Sequence, residues 1–103
     1  MKPTEPSPPT SSTSFGTDLS RERFLAILRA GLSAQDYRFV VQSALQWLAA
    51  FPGDLQVSLA YARALQGEGR NQEARNVARG LCRSDPENLE ALQLWQGLEE
   101  RLR

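Results

Sequence analysis

From Ser20 to Leu102, apolar residues recur at three- and four-residue steps, and no alternating pattern lasts more than a few positions. The pattern predicts helices and no strands. The first helix is expected over about 20–31, with Phe24, Leu25, Ile27, Leu28 and Leu32 on a broad apolar face and Ser20 as N-cap. A second follows over about 34–50, where Ser33 and Asp36 have the spacing of a capping box. Its body carries Tyr37, Val40, Val41, Ala44, Leu45, Trp47 and Leu48, and Pro52-Gly53 stops it. The third, about 55–66, has Asp54 as N-cap and turns Leu55, Leu59, Tyr61, Ala62 and Leu65 inward. Gly67 and Gly69 are expected to end it through positive φ. The fourth, about 71–84, begins at Asn71 and carries Ala74, Val77, Ala78, Leu81 and Cys82. The fifth, about 86–102, takes Asp85 as cap, Pro86 in its first turn and Glu87 beside the positive end of the helix dipole. Ala91, Leu92, Trp95, Leu98 and Leu102 fall on one side of that helix. Leu94 is the apolar residue that does not fit the stripe.

Short connections make consecutive helices antiparallel, and helices of this length need a neighbour to be stable in water. Pro52 and Pro86 lie 34 residues apart, and one complete helix-turn-helix unit fits between them. The stretch from Leu55 to Asn88 resembles a tetratricopeptide repeat. Ser58, Tyr61, Ala62 and Leu65 stand where that family places its large, apolar, small and large residues on a first helix, Ser58 replacing the usual aromatic. Ala74, Ala78, Leu81 and Pro86 stand at the second-helix and closing positions, Ala78 smaller and Leu81 larger than the family's usual residues, and Asp85-Pro86-Glu87-Asn88 looks like the inter-repeat corner. Counting back, Arg21 to Asp54 resembles a more degenerate unit, with Leu28 and Gly31 replacing the expected small and aromatic residues. Leu89 to Arg103 fills only the first helix of a third. The resemblance implies an all-α fold of five helices, antiparallel hairpins stacked as a short right-handed solenoid. Its repeats are 21–54 and 55–88, and helix 89–103 caps them. The alternative is a free-standing helical bundle without solenoid curvature.

Composition narrows the function. Lys plus Arg and Asp plus Glu number 12 each, so the chain lacks the basic excess that phosphate binding or a polybasic membrane anchor uses. No apolar run approaches a membrane span, and a cytoplasmic location is expected. Histidine is absent and Cys82 is the one cysteine, which removes the commonest general base, internal disulfides and the usual zinc ligand sets. No catalytic, metal or cofactor site is expected, and the chain is read as a non-enzyme. Residues 1–19, with Pro3, Pro6, Pro8 and Pro9 among serines and threonines, are expected to form a disordered tail ahead of a helical domain over 20–103.

What the resemblance implies is a concave groove lined by the first helix of each repeat. Carried over position by position, it comprises Glu22, Leu25, Arg29 and Leu32, then Gln56, Leu59, Arg63 and Gln66, then Glu90, Gln93 and Gly97. Arg29 and Arg63, one period apart, offer guanidinium groups to carboxylates of a bound peptide, or act as ordinary solvated arginines. The lysine-and-asparagine clamp by which the family holds a chaperone's terminal carboxylate is missing, because Leu25, Arg29, Ala60, Glu90 and Leu94 fall at those positions. Trp47 and Trp95 read as packing residues and Cys82 as a small buried hydrophobe. The expected function is a protein–protein interaction module or adaptor that binds a protein or peptide, with no nucleic-acid or membrane partner. The alternative is a structural unit that self-associates weakly into a homo-oligomer.

Overall fold

The structure, a computed structural model, describes residues 13–103, with side chains from position 20 onward. The described residues form five α-helices and no strand: α1 (Thr13–Ser33), α2 (Tyr37–Ala50), α3 (Leu55–Gly67), α4 (Asn71–Ser84) and α5 (Leu89–Arg101). The tail expected over 1–19 lies outside the described residues as far as position 12. Ser20 is not a cap but sits within α1, which begins at Thr13.

The boundaries recur with a period of 34. α1 and α3 end at Ser33 and Gly67, α2 and α4 run Tyr37–Ala50 and Asn71–Ser84, and α3 and α5 begin at Leu55 and Leu89, each pair 34 residues apart. Local hydrogen bonding explains the regularity. After α1, Asp36 N donates to Gly31 O at 2.8 Å and Gln35 N to Leu32 O at 3.1 Å. After α3, Arg70 N donates to Leu65 O at 2.9 Å and Gly69 N to Gln66 O at 3.0 Å. Both are Schellman turns, closed through a residue of positive φ: Gln35 at 61° in the first and Gly69 at 81° in the second. Glutamine has a Cβ that glycine lacks, so the first turn is strained where the second is not. Gln35→Gly is therefore expected to stabilise the fold by about 0.5–1 kcal/mol, read as a higher urea midpoint.

The two corners that lead back into an odd-numbered helix also match. Asp54 N donates to Phe51 O at 3.1 Å and Asn88 N to Asp85 O at 3.0 Å. The side chains of Asp54 and Asn88 then cap α3 and α5 by accepting from Val57 N and Ala91 N. Asp54 thus caps as its sequence predicts. The fifth helix starts later than expected: Asp85-Pro86-Glu87 forms the turn, and the cap is Asn88. The capping box at Ser33 and Asp36 does not form, since Ser33 ends α1 and Asp36 makes no side-chain cap bond. Gly67 does not serve the turn through positive φ. A Cβ there would stand 2.5 Å from the ring of Tyr37, so the glycine admits that ring against α3.

Each helix packs on its neighbours in sequence, and α1 also packs on α3. Leu28, Val40, Ala44, Val57, Ala64, Leu65, Ala74, Ala78 and Leu98 are fully buried in one cluster that reaches all five helices, and Leu59, Leu81 and Ala91 form a second between α3, α4 and α5. Small residues at Ala44, Ala64, Ala74 and Ala78 let the helices approach closely, while leucine and valine supply the buried apolar area. Three expectations shift here. Ile27 and Leu45 are each 48% exposed rather than part of the packing, and Leu94 is half-buried against both clusters although it does not fit the stripe of α5.

Candidate functional site

α1, α3 and α5 together line one face. A recess of about 470 Å³ is bounded by Leu32, Tyr37, Arg63, Gln66, Glu90, Gln93, Leu94 and Gly97. A smaller one, about 120 Å³, is bounded by Leu25, Leu28, Arg29, Leu32, Gln56, Leu59, Ala60, Arg63 and Glu90. The two share Leu32, Arg63 and Glu90, so they are halves of one trough divided by the contact between Arg63 Nη2 and Glu90 Oε2 at 3.0 Å. Both partners of that bridge are well exposed, which makes it weak and readily opened.

Of the residues expected in a groove, Leu25, Arg29, Gln56, Leu59, Arg63, Gln66, Glu90 and Gln93 all reach the trough, as do Leu32 and Gly97. Glu22 is exposed on α1 but borders neither recess. Their availability differs. Leu25 and Leu59 are buried floor residues, 5% and 9% exposed, whose main role is packing. Arg63 is engaged with Glu90, and Gln56 accepts a bond of 3.2 Å from Arg21 Nη2. Arg29 is exposed at the rim of the smaller recess and has no ion pair among the described residues. The trough therefore offers an apolar floor, amides on its walls, an openable ion pair at its middle and one uncommitted cation. Tyr37, Leu94, Leu28 and Ala60 also line the trough, although the groove carried over from the resemblance does not include them. Tyr37 belongs to α2, and only its seat against Gly67, invisible in a linear pattern, brings it to this face.

Where α1, α2 and α3 meet, Asp54 gathers the polar contacts. Its carboxylate, with a side chain 7% exposed, accepts from Arg21 Nη2 at 2.8 Å, Arg21 Nε at 3.0 Å, Trp47 Nε1 at 2.8 Å and Val57 N at 3.4 Å. The Arg21 fork does most to hold its pKa below the usual carboxylate value, against the upward pull of burial, with Trp47 and Val57 adding to the depression. Phe24 stacks on Trp47 with ring centroids 4.6 Å apart, and Phe51 follows at 4.9 Å. These bonds make Asp54 and Trp47 structural. Burial pushes the Cys82 thiol upward, opposite to what a reactive thiolate needs. Among the described residues no group of three or more carboxylate or cysteine side chains is placed to hold a metal, and no helix is long and apolar enough to cross a membrane.

No family model, curated protein or solved structure matches this chain.

Proposed function

We propose that the chain is a non-enzymatic protein-interaction module, a short stack of tetratricopeptide-like hairpins that receives a peptide or helix in the α1/α3/α5 trough. The observation that carries this reading is the continuity of the two recesses through Leu32, Arg63 and Glu90. The recurrence of helix boundaries, Schellman turns and corners at 34 residues supports the repeat architecture. A ligand side chain of modest apolar size fits over the leucine floor, and a ligand carboxylate is drawn to Arg29. With few repeats the contact is small, so binding is weak unless tethering or multivalency raises it.

Arg29→Glu tests the site without touching the core. Stability should stay within about 0.5 kcal/mol of the wild type, because the side chain is exposed and has no ion pair among the described residues. Capture of the trough's partners, compared quantitatively between wild type and variant, should fall about tenfold, or ~1.4 kcal/mol. Equal capture of every partner would remove the trough from the account.

A second reading, weak self-association, has one observation in its favour. Ile27 and Phe39 are 48% and 41% exposed, and Phe39 lies close to Gly31 on the neighbouring α1. Light scattering across concentration separates the two readings, since a constant monomer mass leaves the trough alone.

A further inference from the structure

α4 buries Ala74, Ala78 and Leu81 and carries a line of arginines on its other side. Arg75, Arg79 and Arg83 follow at four-residue steps, so they share one stripe and succeed one another by about 6 Å along the axis. Arg79 and Arg83 are exposed and have no ion pair among the described residues, and Arg75 reaches Glu99 of α5 only at 3.8 Å. The single carboxylate of α4, Glu73, is closed on Arg70 by two bonds of 2.8 Å, so nothing on this helix neutralises the stripe.

Two choices on this face work against the helix. Like charges at four-residue spacing destabilise it, and a glutamate at the central position would turn both repulsions into attractions. Gly80, mid-helix and next to Arg83 one turn on, is a poor helix former, and a Cβ there would meet nothing within 4 Å. Close packing within the chain therefore explains neither. Arg83 has a favourable place in the last turn, where cations complement the helix dipole, but Arg79 does not. The whole chain is electrically neutral, so the stripe is a local segregation of charge and not the surface of a basic protein. An open glycine lets another backbone come near, and guanidinium forks suit carboxylates better than a compact ammonium does.

We propose that the outer face of α4 docks an acidic helix of a partner protein, with carboxylates four residues apart pairing with Arg79 and Arg83. Such a helix has the same rise as the arginine line, so successive pairs stay in register. The surface is separate from the trough, to which α4 contributes no lining residue.

The test uses the whole chain and a labelled alanine-based helical peptide with glutamate at every fourth position, beside its glutamine counterpart and a short DNA duplex. The glutamate peptide should bind at low salt and weaken as salt rises, while the glutamine peptide should not bind. Arg79→Glu should lower its affinity at least tenfold and at the same time raise Tm, because the new carboxylate meets Arg75 and Arg83 one turn to either side. Affinity falling while stability rises is an outcome that damage to the fold does not produce. Failure of the glutamate peptide to bind would overturn the proposal. So would loss of binding through Arg29→Glu with none through Arg79→Glu, which would move the peptide to the trough. Tighter binding of the duplex would assign the stripe to nucleic acid instead.

Discussion

Asp54→Ala is expected to cost the fold about 2–4 kcal/mol, a fall in Tm on the order of 10–20 °C for a domain of this size. Three losses coincide. The cap of α3 goes, since Val57 N no longer has the Asp54 side chain to donate to, at about 1 kcal/mol. Trp47 Nε1 loses its acceptor in a half-buried site, at about 1–3 kcal/mol. The Arg21 fork loses the carboxylate that ties α1 to the corner between α2 and α3, although it keeps Gln56 and access to water. Arg21→Ala should therefore cost less, about 1 kcal/mol or below, because it leaves both the cap and the Trp47 bond intact. Urea unfolding of the two variants decides the matter. If they lose the same stability, Asp54 is one half of a surface ion pair and not the joint of three helices.

The depressed pKa of Asp54 gives that joint an acid limit. A carboxyl whose folded pKa lies below its unfolded value contributes stability that is complete above the unfolded pKa, about 4, and lost as pH falls through the folded one. The difference in urea midpoint between wild type and Asp54→Asn should thus be constant from neutral pH down to about 5 and shrink below about 4. A gap that persists undiminished in acid would mean that charge on Asp54 contributes little.

What the sequence discloses here is the period, and what it hides is contact. Helices α3 and α4 are legible almost to the residue because the cap at Asp54 and the glycine-bearing turn at Gly69 are local signals, each acting within one turn of its own backbone. The start of α5 is ambiguous because Asp85 and Asn88 are both good caps three residues apart, and only the chain reversal at Pro86 selects the second. Gln35 could not be picked out as a turn residue of positive φ, since glutamine does not favour that conformation. The matching turn at Gly69 betrays it once the period is applied. The trough divides in the same way. Positions one period apart do reach one face, but whether Arg63 is free or bridged to Glu90, and whether Tyr37 joins them, depends on side chains meeting between helices.

Gly31 shows how such a meeting is built, and Gly31→Ala is expected to destabilise the protein by about 1–2 kcal/mol although alanine is the better helix former. A Cβ at this buried position would stand 2.6 Å from Val40 Cγ2 and 3.3 Å from Phe39 Cδ2. Phe39 is exposed and can turn aside, whereas Val40 is fully buried and, being β-branched within a helix, has essentially one rotamer. The strain therefore passes to the backbone and forces α1 and α2 apart. Near the end of α1 the gain in helix propensity is too small to offset that separation. Truncating the obstacle should reverse the sign. Val40→Ala alone loses about 2 kcal/mol of buried contact, yet in its presence Gly31→Ala should be neutral or stabilising, giving a coupling of about 1–3 kcal/mol in a double-mutant cycle. Additive costs in that cycle would show that Gly31 serves the turn that follows it, through Asp36 N and its own carbonyl, and not the approach of the two helices.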